Sequence, residues 1–209
     1  MRIRTTLLTF SAIAALTVAA ITAAEVHPVR RGKLILEDDF NGMKLDAAWK
    51  IAKGKWSVTG GRVQGVELAD DKHNAVARRD LKFHDAVIET SFRLEKGAKM
   101  LAISLNGAGG HVCRVTIRPD AIIVQKDKMN AKATEPAAIL AKKNMKFDTD
   151  QWYKLTMEVR GKSLTARIND GEPIGGEHAG VDLDKTNIGL PVGGDGAWFD
   201  YLRVWEVAR

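Results

Sequence analysis

The chain has 209 residues, with 32 Lys and Arg against 26 Asp and Glu, a formal charge of +6 and a single cysteine, Cys113. One cysteine excludes an intrachain disulfide. The basic residues are dispersed among acids, which excludes the concentrated basic face with interleaved aromatics that nucleic acid requires.

The first segment, MRIRTTLLTFSAIAALTVAAITAA, places Arg2 and Arg4 before an apolar run and ends in small residues. That pattern predicts a secretory signal cleaved after Ala24, and hence a secreted, periplasmic or cell-envelope protein. Leu7 to Ala24 approaches the length of a membrane span, so an uncleaved anchor is the alternative. Cleavage would remove Arg2 and Arg4, take the charge from +6 to about +4 and leave no membrane span. Residues 25–33 read as a short flexible lead. Residues 34–209 fit one domain, large enough to bury a core without staples.

Within that domain the strand signals dominate. DAVIETSFRL alternates Ala86, Ile88, Thr90 and Phe92 with Val87, Glu89, Ser91 and Arg93. HVCRVTIRP sets Cys113, Val115 and Ile117 against Arg114, Thr116 and Arg118. By the same alternation His111 faces inward with Cys113, unless the glycine-rich bend at 107–110 or a bulge turns it. Lys128 to Phe147 is rich in Lys and Ala and reads as a long loop over a sheet edge, with room for a helical turn. WYKLTMEVRG and SLTARIND form a hairpin around Gly161, with Tyr153, Leu155, Met157 and Val159 on one face. Short strands at this spacing, punctuated by glycine turns, predict an all-β sandwich of two antiparallel sheets.

Both ends carry a resemblance. LILEDDFNGMKLDAAWKIAKGKWSVTGGRVQG is similar to the opening of concanavalin A-like lectins and glucanases, and GAWFDYLRVWE to their closing strand. With the hairpin, the chain most resembles the 3-keto-disaccharide hydrolase domain family within that superfamily. The resemblance implies a jelly roll whose first and last strands pair, and a carbohydrate partner.

The residues constrain the chemistry. A retaining glycosidase sets two carboxyl groups about 5 Å apart, which the laminarinase relatives achieve with Glu-x-Asp-x-x-Glu on one central strand. None of the four clearest central strands has that pattern; among them VIETSFR offers Glu89 alone, LTMEVRG offers Glu158 alone, and VCRVTIR offers no acid. Glu37 and Asp39 stand two apart on the first strand, and Asp182 and Asp184 repeat the spacing in a loop. Paired-carboxylate glucan hydrolysis is therefore not expected.

Chemistry beside a C3 ketone, which the resemblance implies, asks for less. One base removes the acidified C2 proton, and a positive group holds the enolate while the C1 oxygen leaves. The candidates are His111, Arg114 and Glu89 for catalysis, and Trp198, Arg118, Glu158 and Arg160 for substrate binding. Each has an ordinary structural alternative, since Glu and Arg on polar strand faces commonly form cross-strand pairs. Trp49, Trp56, Trp152 and Trp205 read as core or hinge. No cofactor is called for. The resemblance implies a structural Ca²⁺ near Asp200, matching the closing-strand Asp of laminarinase-type relatives. The sequence leaves open whether the domain is catalytic, a carbohydrate-binding module or a structural part of the envelope.

Overall fold

The computed structural model describes residues 30–208. The predicted signal and residues 25–29 of the lead lie outside the described residues. In chain order the strands are β1 (Arg31–Asp38), β2 (Trp49–Lys53), β3 (Lys55–Val58), β4 (Val63–Val66) and β5 (Ala75–Phe83). Next come β6 (Ala86–Leu94), β7 (Ala98–Gly107), β8 (Gly110–Arg118), β9 (Ala121–Lys126) and β10 (Ala138–Asn144). The chain closes with β11 (Tyr153–Arg160), β12 (Ser163–Ile168), β13 (Ile174–Glu177), β14 (Lys185–Gly194) and β15 (Ala197–Val207). Among the described residues no helix is long and apolar enough to cross a membrane.

Two antiparallel sheets face each other. Sheet A runs β13-β12-β11-β6-β15-β4-β3, and sheet B runs β10-β9-β8-β7-β14-β5-β2. The long β15 serves two neighbours on one side: Ala197 to Phe199 pair with β4, and Leu202 to Val207 pair with β1. The expected pairing of the chain's first and last strands is present. This is the two-sheet jelly roll.

The predicted alternation makes the core. Ile88 and Phe92 of β6, Met157 and Leu155 of β11, and Val204 of β15 point from sheet A at Val115 and Ile117 of β8 and Leu101, Ile103 and Leu105 of β7. Each fully buried side chain of this size contributes about 1.5–3 kcal/mol. Their strand neighbours therefore point the other way. Glu89 leaves the outer face of sheet A, and Arg114 leaves the outer face of sheet B.

Three segments differ from the sequence reading. Ala138–Asn144, inside the predicted loop, is the edge strand β10 paired to β9, with exposed Lys142 and Lys143 that discourage further pairing. The central strands β7 and β14 show no clean polar alternation, because Ala102, Gly189 and Pro191 occupy outward positions. Pro191 would ordinarily argue against a central strand, since it has no N–H to donate. It is accommodated where the β7 ladder runs from Gly189↔Ser104 to Val192↔Leu101 without an intervening pair.

Candidate functional site

The outer face of sheet B carries a depression of about 130 Å³ lined by His73, Asn74, Val76, Arg78, Ser104, His111, Arg114 and Pro191. Its floor is low because of one glycine. Gly189 pairs with Arg78 of β5 on one side and Ser104 of β7 on the other. A Cβ on Gly189 would stand 2.6 Å from the Ser104 hydroxyl oxygen, so any larger residue fills the space between them.

His111 reaches this face through a bulge. The β7–β8 pairing shifts between Leu105↔Cys113 and Asn106↔His111, so Val112 and Cys113 both turn inward while the imidazole points outward. Its Nδ1 lies 2.7 Å from Asn106 Oδ1, and Asn106 Nδ2 donates to Asn187 Oδ1 at 2.8 Å. Because the Asn106 amide spends its N–H on Asn187, its oxygen is left to accept. Nδ1 therefore bears the proton, and Nε2 presents a lone pair. Burial, then the positive charge of Arg114, lowers the His111 pKa below its ordinary 6.5. The ring is thus neutral near pH 7 and can accept a proton.

Two arginines stand beside it, in different states. Arg114 gives its Nε to both oxygens of the buried Asp127, at 2.8 and 2.9 Å, and Gln125 supports the same carboxylate at 2.7 Å. That pairing fixes the guanidinium without consuming its other nitrogens. Arg78 is half-buried, yet among the described residues its guanidinium has no hydrogen bond or ion pair. Its chain neighbour Arg79 points the other way, to Asp38 at 2.9 Å. A half-buried cation without a partner, next to a neutral imidazole, suits a negative charge that appears only during a reaction.

The other predicted site residues are distributed as follows. Arg118 is exposed at the end of β8, on the same outer face but not lining the depression. Glu89, Glu158, Arg160 and Trp198 belong to the outer face of sheet A, across the core from His111, so the structure does not bring Glu89 to His111 and Arg114. Glu89 is held by Arg31 at 2.5 Å and by the Tyr201 hydroxyl at 3.1 Å. Glu158 meets Arg167 at 3.4 Å. Arg160 edges a separate depression with Phe83, His84 and Glu206. Trp198 donates its indole N–H to Glu95, which also pairs with Arg93 at 2.9 Å. Trp49 is core, as expected, whereas Trp152 and Trp205 lie under Arg93 and Arg31 on the sheet A surface.

Asp200 fits a calcium ion poorly. Ca²⁺ takes six to eight oxygens, and this half-exposed carboxylate faces the Arg62 guanidinium at 3.5 Å. Among the described residues no three His, Cys, Asp or Glu gather where a metal could sit.

Sequence reasoning missed Arg78, Ser104, Asn106 and Asn187. The adjacent pair Arg78-Arg79 held a usable signal: consecutive strand residues face opposite sides, so one acid cannot neutralise both.

Residues 36–204 match the family described as the 3-keto-alpha-glucoside-1,2-lyase-like domain. The chain belongs to this family. No curated protein matches it in sequence. In structure this lyase-like domain is similar to a carbohydrate-binding module, CBM66 from Bacillus subtilis, at 18% identity and a TM-score of 0.61, covering 73% of this chain and 92% of that one. It is also similar to SCLam, a non-specific endo-β-1,3(4)-glucanase of family GH16, at 12% identity and a TM-score of 0.66, covering 87% and 95%. A third likeness is LamAcat from Zobellia galactanivorans, at 11% identity and a TM-score of 0.59, covering 83% and 98%. At these identities the likeness concerns the fold. The family match marks the lyase-like domain as carbohydrate-related.

Proposed function

We propose that this is a secreted enzyme that cleaves 3-keto-glycosides by proton abstraction at C2, using the His111 depression on sheet B. The observation that carries the reading is a neutral imidazole whose Nε2 is uncommitted, beside an Arg78 that has no partner among the described residues. His111 Nε2 takes the C2 proton, and the electron pair moves into the ring as an enolate whose oxygen faces Arg78 and Arg114. The pair then forms the C1–C2 double bond as the C1–O bond breaks, and the leaving oxygen takes up a proton. Water adds at C1 and a proton returns to C2, so the net change is hydrolysis. No second carboxylate is needed, consistent with the strands that hold none in pairs.

His111→Ala is expected to lower turnover of a 3-keto-α-glucoside by about 10²–10⁴-fold. Plain glucosides, with a hydroxyl at C3, are not turned over. Because the base must be neutral, kcat/KM falls as pH drops through the His111 pKa, so its acid limb lies below pH 6.5. Full activity in His111→Ala, or cleavage of the plain glucoside, would sink the mechanism.

The second reading is a binding module, favoured by the likeness to CBM66 over 92% of that module. Binding of a plain glycan with no turnover of any keto-sugar would select it.

A further inference from the structure

His111 borders two depressions, not one. The second, about 430 Å³, shares only His111 with the first and is lined by Gly110, His111, Lys128, Met129, Asn130 and Ala131. It is shallow and open to solvent, so it would contact an occupant on one side only. We propose that this depression is the subsite for the leaving group, and that it favours a flat apolar aglycone. The inference rests on the 3-keto-glycoside reading.

Polarity and charge set the direction. The ring that becomes the enolate must lie at the end with Arg78 and Arg114, which is the smaller depression. The C1–O bond then passes His111, and what leaves occupies the side of Met129. There the wall is the Met129 thioether and the Ala131 methyl, with Lys128 and Asn130 supplying the polar groups. A thioether packs well against aromatic and aliphatic groups.

The wall is built in rather than draped over the site. The His111 N–H donates to the Met129 carbonyl at 2.8 Å, and the Asp127 N–H to the Val112 carbonyl at 2.9 Å. Asn130 Nδ2 donates to the Gly109 carbonyl at 3.0 Å. The Gly109-Gly110 pair permits this close approach. A Cβ at Gly110, whose φ is +129°, would stand 2.2 Å from the Met129 carbonyl oxygen, and one at Gly109 would stand 2.6 Å from the Met129 sulfur.

The test compares benzyl and methyl 3-keto-α-glucosides, whose leaving groups are both simple alcohols, on the full chain and two variants. Met129→Asp places charge on the wall, and Ala131→Trp fills the depression from an exposed position. Wild type is expected to prefer the benzyl glycoside in kcat/KM by about tenfold or more, a difference worth 1.4 kcal/mol. Both variants should abolish that preference, read as the ratio of kcat/KM for the two glycosides. Taking the ratio of the two substrates within each protein cancels any general loss from misfolding. Calorimetric binding of both glycosides to His111→Ala provides a second readout that needs no turnover. Equal effects of the variants on both substrates, or no benzyl preference in wild type, would overturn the subsite and leave the His111 mechanism standing. Failure to bind or turn over either glycoside would remove both.

Discussion

On the outer face of sheet A, Glu89 is shared by Arg31 and Tyr201, Arg203 by Glu37 and Asp39, and Trp205 lies under Arg31. On the outer face of sheet B, Arg78 has no partner among the described residues and His111 keeps one ring nitrogen free. Both faces are made of arginine, acids and aromatic or imidazole rings, so composition does not separate them. What separates them is whether the half-buried charges are paired; Arg160 on sheet A also lacks a partner among the described residues, but it is exposed. A face whose charges are already paired contributes to stability and offers little to a ligand. A face that leaves a half-buried cation and a neutral base uncommitted gives up some stability and can meet a charge that develops on a substrate.

That contrast predicts opposite responses to substitution. Arg78→Gln should lower turnover of a 3-keto-α-glucoside by about 10²–10³-fold, as for loss of a group that holds transition-state charge. Its melting temperature should hardly move, since no pairing is lost, and steady-state kinetics beside a thermal melt checks both halves. Glu89→Gln should do the reverse. It removes the charge that Arg31 and Tyr201 bond to, at a cost of about 1–2 kcal/mol. For a chain of this size that lowers the melting temperature by about 3–6 °C, with kcat/KM unchanged. If Glu89→Gln instead removed activity and left the melt untouched, the comparison would fail.

The smallest effect concerns His84, at the end of the sandwich. Its ring spans Asp184 at 2.8 Å and Asp182 at 2.9 Å, and those two hydrogen bonds raise its pKa above 6.5. A raised histidine stabilises the fold fully below its unfolded value, and that contribution is lost as pH rises through the folded value. His84→Gln should therefore lower the melting temperature slightly at about pH 6 and not at about pH 9, because the imidazole there is already neutral. The ring is half-exposed, so the shift is small and screened by salt. A larger destabilisation at the alkaline end would contradict the assignment of these bonds to the charged ring.

The alternation in DAVIETSFRL, HVCRVTIRP and WYKLTMEVRG fixed which side chains enter the core, because the two-residue period of a strand leaves no other choice once one face is buried. The same alternation excluded a same-face carboxylate pair on the strands it identified. It also placed Arg114 and Glu89 each on the outward side of its own strand. It could not say that these two outward directions are opposite, since that depends on which sheet each strand joins. Nor could it decide His111. The ring's direction depends on a bulge, and one extra residue in the ladder reverses every inference from parity. The strands that floor the site were the least legible, because Gly189 and Pro191 read as turn residues when taken alone. In the fold Gly189 lies between Arg78 and Ser104 on the neighbouring strands, and Pro191 sits where the β7 ladder skips a pair. Arg78, Ser104, Asn106 and His111 come from β5, β7 and β8, and contacts between strands far apart in sequence leave no local trace. The sequence by itself determined the sandwich, its core and the absence of the glucanase acids on the strands it showed. Only the tertiary structure decided which outward-facing charges are paired, because pairing is a property of neighbours across strands rather than along them.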